Sequence, residues 1–268
     1  MDKKSSQCLI IYDLMLEKKE IDSAQFSILK SIINDLDTGT IRICAYEKGQ
    51  WTTNEWVKKA IIAYIHYAKP DRLTEYSNTY RDHSIYKYSK TPIPDTIRIV
   101  PPAHIRFGAY IGKRTVIMPS FINIGCYVDD GSMIDSFASL GSGAQIGKNV
   151  HISAGTGIGG VLEPLQALPT IIEDNCFIGG RSEISEGVIV RSGAVVASGV
   201  FLTQSTRIYN RMTGETSYGE IPPNAVVIPG TLPTPNETYQ ASAAIIVKYA
   251  DEKTRSKTTI NDLLRPHI

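Results

Sequence analysis

Two acids sit where a repeating backbone would hold them still. Asp135 follows an aliphatic in GSMIDS, and Glu183 precedes one in GGRSEIS. A fixed carboxylate can take a proton from a reacting group, a contribution of about 10²–10⁴ in rate. Read without further information, each is first of all a solvated corner residue. His104 and His151 are the histidines in the same region, one short of the three needed for a histidine zinc site. Cys8, Cys44, Cys126 and Cys176 form no CxxC pair and no Cys/His metal spacing. Gly155, Gly157 and Gly160 spell GxGxxG. A dinucleotide site would need a strand before that run, a helix after it and a later ribose-binding acid. The run is embedded in a different periodicity, so it reads as close-packed turns.

That periodicity is the strongest signal in the chain. Val116, Ile122, Val128, Ile134, Leu140, Ile146, Ile152 and Ile158 recur every six residues. Ile172, Ile178, Ile184, Val190, Val196, Leu202 and Ile208 repeat the spacing in a second run. Four residues after these aliphatics come small or β-branched side chains, among them Cys126, Ser132, Ala138, Ala144, Cys176 and Ser182. A period of six suits neither a helix nor a hairpin. It suits a three-sided coil of 18 residues, with the aliphatic pointing inward and the small residue where the interior narrows. On this reading Cys126 and Cys176 are packing residues. Residues 160–171 and 209–220 break the rule and must leave the prism as loops, which is where sites are commonly built.

The flanks differ. Residues 1–95 read as a mixed α/β domain, with helical spacing over Ser23–Leu36 and Thr53–Tyr67 and a short strand over Ile41–Tyr46. Residues 70–95, polar and Tyr-rich, read as a connector. Residues 96–230 are the coil, and 231–268 a cap of one strand, Ala243–Tyr249, and one helix, Thr259–Leu264. Over 268 residues the formal charge is +1, which gives no net field for nucleic acid or a membrane. No apolar run approaches the ~18 residues of a membrane span, and MDKKSSQCLIIYDLM lacks a cleavage-site pattern. A cytoplasmic protein is expected.

Several segments carry a resemblance to a known family. RIVPPAHIRFGAYIGKRTVIMPSFINIGCYVDDGSMIDS, QIGKNVHISAGTGIGGVLEPLQALPTIIEDNCFIGGRSEISEGVIV and QSTRIYNRMTGE resemble the tetrahydrodipicolinate N-succinyltransferases. GQWTTNEWVKKA and IIVKYADEKTRSKTTINDLLR fit the same family. The loop GIGGVLEPLQALPTIIEDNCFIG is the most specific of these, because hexapeptide-repeat proteins in general do not share it.

The resemblance implies a left-handed parallel β-helix, against the usual right-handed rule for parallel crossovers. It implies transfer of succinyl from succinyl-CoA to the amino group of ring-opened tetrahydrodipicolinate, in diaminopimelate and lysine biosynthesis. No metal is implied. It further implies a homotrimer with active sites between prisms. By resemblance, Asp135 is the contact or base for the substrate amine, and Glu183 a second catalytic carboxylate or a nucleophile carrying succinate as an anhydride. Arg98, in TIRIVPP, matches a substrate-binding arginine, and a guanidinium grips a carboxylate with two hydrogen bonds. Lys248, Arg255 and Lys257 are candidates for the phosphates of coenzyme A. Histidine bases are common among hexapeptide acyltransferases, but this family points to carboxylates, which leaves His151, like His104, a supporting or structural residue. Two other readings stand beside this one: a hexapeptide acyltransferase for a sugar amine, and a non-catalytic β-helix.

Overall fold

The computed structural model describes residues 3–69, 71–75, 78–83, 86–89, 92–234 and 238–251. Its centre is a triangular prism of two-residue strands, each followed by a corner. Three parallel sheets form the faces. The first face stacks Arg98–Ile99, Val116–Ile117, Met133–Ile134, His151–Ile152, Phe177–Ile178 and Val195–Val196. The second stacks His104–Ile105, Phe121–Ile122, Ser139–Leu140, Gly157–Ile158, Glu183–Ile184 and Phe201–Leu202. The third stacks Tyr110–Ile111, Tyr127–Val128, Gln145–Ile146, Ile171–Ile172, Ile189–Val190 and Glu220–Ile221.

The second residue of each two-residue strand points inward. Ile122, Val128, Ile134, Leu140, Ile146 and Ile152 are all fully buried. Each contributes roughly 1.5–3 kcal/mol by leaving water. The small positions line the same core, and their polar atoms are satisfied by the next coil. Ser132 Oγ donates to Gly147 O at 2.7 Å, Cys126 Sγ to Gly141 O at 3.0 Å and Ser182 Oγ to Ala197 O at 3.0 Å. Burial pushes the Cys126 and Cys176 thiols up to about 12, so both are inert packing groups.

The hexad count needs one correction. In the first coil the inward residues are Ile105, Ile111 and Ile117, and the next is Ile122. Val116 does not face the core; it pairs with Met133 and packs outside with Met133 and Met118. The corner between Ile117 and Ile122 is one residue short, which shifts the frame by one. A strict period of six through Val116 therefore lands on the wrong face of the strand.

Three helices pack beside the prism: α1 (Lys3–Leu16), α2 (Ser23–Asp37) and α3 (Glu55–Tyr67). Asp22 and Gln25 form a reciprocal capping box at the start of α2. α1 escapes the periodicity argument because only Ser5, Cys8 and Ile11 on it are buried, a stripe too narrow to read. A hairpin of β1 (Cys44–Glu47) and β2 (Gln50–Thr53) joins α2 to α3. Residues 70–95 are more than a connector. Asp71–Glu75 and Asn78–Asp82 pair antiparallel, and Tyr86 bridges to Arg106.

Beyond the last coil, Ala225–Pro233 pairs antiparallel with Gln240–Tyr249 at the end of the first face. Arg207–Asn210 adds in parallel to the far side of Gln240–Tyr249. The expected helix Thr259–Leu264 lies outside the described residues.

Candidate active site

Asp135 stands immediately after inward-facing Ile134, at the corner where the first face turns into the second. Its backbone N–H donates to Ile152 O at 2.9 Å, so the next coil fixes its Cα. Its Oδ1 accepts from the Ser136 N–H at 2.6 Å. Its Oδ2 faces the Nε2 of His151, 3.9 Å away. The ladder explains this approach: Met133 pairs with His151, so the first residue of one strand lies beside the corner that leaves its neighbour.

His151 is half-buried and Asp135 is not closed off, with side chains 21% and 27% exposed. The edge of the Phe177 ring packs on the imidazole, centroid to centroid 5.1 Å. Burial pulls the imidazole below its usual pKa and Asp135 pulls it back up only in part, which favours the neutral ring.

Glu183 opens its strand on the second face and points outward, beside Gly157 of the coil before. A Cβ on Gly157 would lie 1.9 Å from Glu183 Oε2, so the missing side chain makes the seat for this carboxylate. Partial burial raises the Glu183 pKa above the usual glutamate value. Beyond Gly157–Ile158 the chain leaves the prism. A Cβ on Gly141 would meet Gly160 N at 2.1 Å, so the base of the inserted loop needs glycine for close approach.

Arg98 lies in the lowest strand of the first face and is exposed. The structure strings these groups along one edge of the prism. Asp135 and Glu183 are two coils apart, a rise of about 10 Å at the ordinary strand spacing. Arg98 is two coils from Met133. Lys248 is exposed, its Nζ 3.5 Å from Asp251 Oδ2. Arg255 and Lys257 lie outside the described residues.

A concavity of about 320 Å³ lies on the third face, which is opposite the Asp135 corner. The β1–β2 hairpin covers it with Tyr46 and Trp51. There Arg42 stacks on Tyr127, 3.7 Å from the ring centre, and donates to Gln145 Oε1 at 2.9 Å. Trp51 Nε1 and Arg191 both donate to Glu173, at 2.9 and 2.8 Å. Burial opposes charge on Glu173, but these bonds and the Ser192 N–H outweigh it and hold the carboxyl below its usual value. This cleft is a satisfied network joining the helical layer to the prism.

Sequence reasoning found both acids but not the partner of Asp135. The signal was present: His151 falls 16 residues after Asp135, two short of a full 18-residue coil. Such an offset places a strand residue beside the preceding corner.

Repeats, stacked coils and corner carboxylates define a hexapeptide-repeat transferase. The family model for the bacterial transferase hexapeptide (six repeats) matches residues 125–160, and that for the hexapeptide repeat of succinyl-transferase matches 169–204. The model for the tetrahydrodipicolinate N-succinyltransferase N-terminal region matches residues 12–66. The 2,3,4,5-tetrahydropyridine-2,6-dicarboxylate N-succinyltransferase of Sodalis glossinidius is 49% identical over 249 residues, covering 91% of each chain. Its namesake in Acinetobacter baylyi is 49% identical over 241 residues, covering 88% of each. That of Caulobacter vibrioides is 49% identical over 240 residues, 86% of this chain and 87% of the other. The chain belongs to the tetrahydrodipicolinate N-succinyltransferase family.

Proposed function

We propose that this protein transfers the succinyl group of succinyl-CoA to the amino group of ring-opened tetrahydrodipicolinate, a step toward diaminopimelate and lysine. The observation that carries this reading is identity of 49% over nine-tenths of the chain with enzymes named for that reaction. The site is chemically suited to it. An α-amino group has a pKa of about 8 and is partly protonated at neutral pH, so it must lose a proton to attack a thioester. Asp135, rigidly held and partly exposed, contacts that amine. Arg98 takes a carboxylate of the substrate through its planar fork.

Glu183 retains a proton more readily than an ordinary glutamate because it is partly buried. Glu183 is assigned as the second catalytic carboxylate, acting as an acid–base group or as a nucleophile that carries succinate as an anhydride. Lys248, with Arg255 and Lys257 farther along, is assigned to the coenzyme A phosphates. The prism is read as left-handed, the hand the hexapeptide resemblance implies.

A homotrimer with sites between prisms accounts for the spacing of the acids, since a neighbouring prism would supply the groups missing around each one. It also accounts for exposed aromatics beside them: Phe137 is 81% and Phe201 62% exposed. A cytoplasmic setting suits four free, buried cysteines, and no described helix is long and apolar enough to cross a membrane. Among the described residues no group of three or more His, Cys, Asp or Glu could hold a metal ion.

Thiol release from succinyl-CoA tests the reading. Release that depends on the cyclic substrate or 2-aminopimelate supports it. Release with acetyl-CoA and sugar amines alone would assign another acyltransferase, and none at all from folded protein would leave a non-catalytic β-helix. Asp135→Asn is expected to lower kcat by about 10²–10⁴ while leaving the melting temperature and oligomer size unchanged.

A further inference from the structure

The feature left over is the orphaned nitrogen of His151. Its Nε2 is buried and has no hydrogen-bond partner among the described residues. A buried polar atom without a partner is costly, and natural folds keep few of them. This one points toward Asp135 Oδ2 at 3.9 Å, beyond hydrogen-bonding distance. Storage of a proton at Nε2 requires the resting ring to carry its hydrogen on Nδ1, with the Nε2 lone pair toward the carboxylate.

The charged environment is simple. From the coil before, Asp135 is the group that acts on the imidazole; from the coil after, the neighbour is the apolar Phe177 ring. Oδ1 of Asp135 is already engaged by the Ser136 N–H, so Oδ2 is the oxygen left to meet an incoming amine.

We propose that His151 is the proton reservoir of the site and acts through Asp135. This rests on the succinyltransferase reading above. The substrate nitrogen attacks the thioester carbonyl; the N–C bond forms and the C–S bond breaks. The proton released by nitrogen passes to Asp135 Oδ2 and from there to Nε2. The carboxylate is restored and the imidazolium is left paired with it. The departing thiolate takes up one proton, returned by the imidazolium directly or through water, so the charges balance. A carboxylate alone is a poor store, because its ordinary pKa of about 4 lies far below neutrality. An imidazole is much closer to the working pH, where general-base efficiency is greatest. The 3.9 Å gap must shorten by about 1 Å on substrate binding, as catalytic hydrogen bonds commonly do.

The test compares kcat at saturating 2-aminopimelate and succinyl-CoA across about pH 5 to 9. In the unmodified protein the acid limb should fall in the histidine range, somewhat below the usual imidazole value, because burial disfavours the charged ring. An acid limb in the carboxylate range would overturn the proposal without any variant. His151→Gln keeps a polar group of similar reach but cannot store a proton. It should lose about 10² or more in kcat, with KM for the amine little changed and the histidine limb gone. A folded His151→Gln protein with kcat within about threefold of the original and the same acid limb would reduce His151 to a packing residue. If the unmodified protein releases no thiol with 2-aminopimelate, the succinyltransferase reading itself fails, and this proposal with it.

Discussion

The prism and the helical layer beside it both hold backbone still, by opposite means. The prism uses one rule repeated. A fully buried aliphatic closes each side, and the hydroxyl or thiol of the narrow position bonds a carbonyl of the next coil. The helical layer has an irregular core of Leu29, Ile33, Val57 and Ile61 that runs on into Ile124 at a prism corner, and single polar contacts add to that apolar seam. Lys58, with no exposed surface, donates to Ala167 O at 2.6 Å across the inserted loop. Asp37 accepts the Gly108 N–H at 2.9 Å, and Trp51 and Arg42 bond Glu173 and Gln145. Repetition spreads stability over many equivalent sites. The joint between layers rests on that seam and on a few polar side chains that each occur once.

The sharpest way to break this contrast is in the prism core. Ile152→Ala opens a cavity between stacked coils that short strands cannot collapse around, and should cost about 2–5 kcal/mol in a denaturant titration. Ile152 also accepts the Asp135 N–H through its carbonyl, so turnover should fall together with stability.

Next in size is Lys58→Met at the joint. Burial lowers the Lys58 pKa, and its ammonium is the donor to the loop carbonyl. Methionine fills much of the space but leaves Ala167 O without that donor, at about 1–3 kcal/mol. Hydrogen exchange should rise over residues 160–170 while the distal coils stay protected. Uniform loss of protection would mean that layer and prism are a single cooperative unit.

The smallest effect is expected at the edge. Glu183 has a raised folded pKa, so the folded chain binds more protons there than the unfolded chain. Its contribution is complete below the ordinary glutamate pKa and fades as pH rises through the higher folded value. Glu183→Gln should therefore match or slightly exceed the original melting temperature at pH 7 and lose that advantage near pH 4, while turnover falls. A lower melting temperature at neutral pH would show that the charge is stabilised by something beyond Gly157 and the strand.

The inward set Ile122 to Ile158 was legible because a two-residue strand leaves no choice of face once the period is known. Val116 was misassigned because a corner one residue short moves the frame without changing residue type. The pairing of Asp71–Glu75 with Asn78–Asp82 was missed because DRLTE and NTYRD are polar and show no alternation of apolar residues in sequence. Asp135 and Glu183 were found by their place beside inward aliphatics and by family likeness. The Asp135–His151 approach was not, because it depends on stacking one coil on the next.

Residue types alone specify the prism, since burial of an aliphatic about every sixth residue is a local rule that nearly every hexad obeys without reference to distant chain. They also specify where the prism is interrupted. Tertiary structure alone decided which side chains meet across coils and layers: His151 beside Asp135, Glu183 over Gly157, Lys58 under the loop. The reason is physical. Such meetings depend on corner lengths, insertions and rotamers summed over whole turns, and one residue more or less in a corner moves every later contact while leaving the pattern of residue types nearly intact.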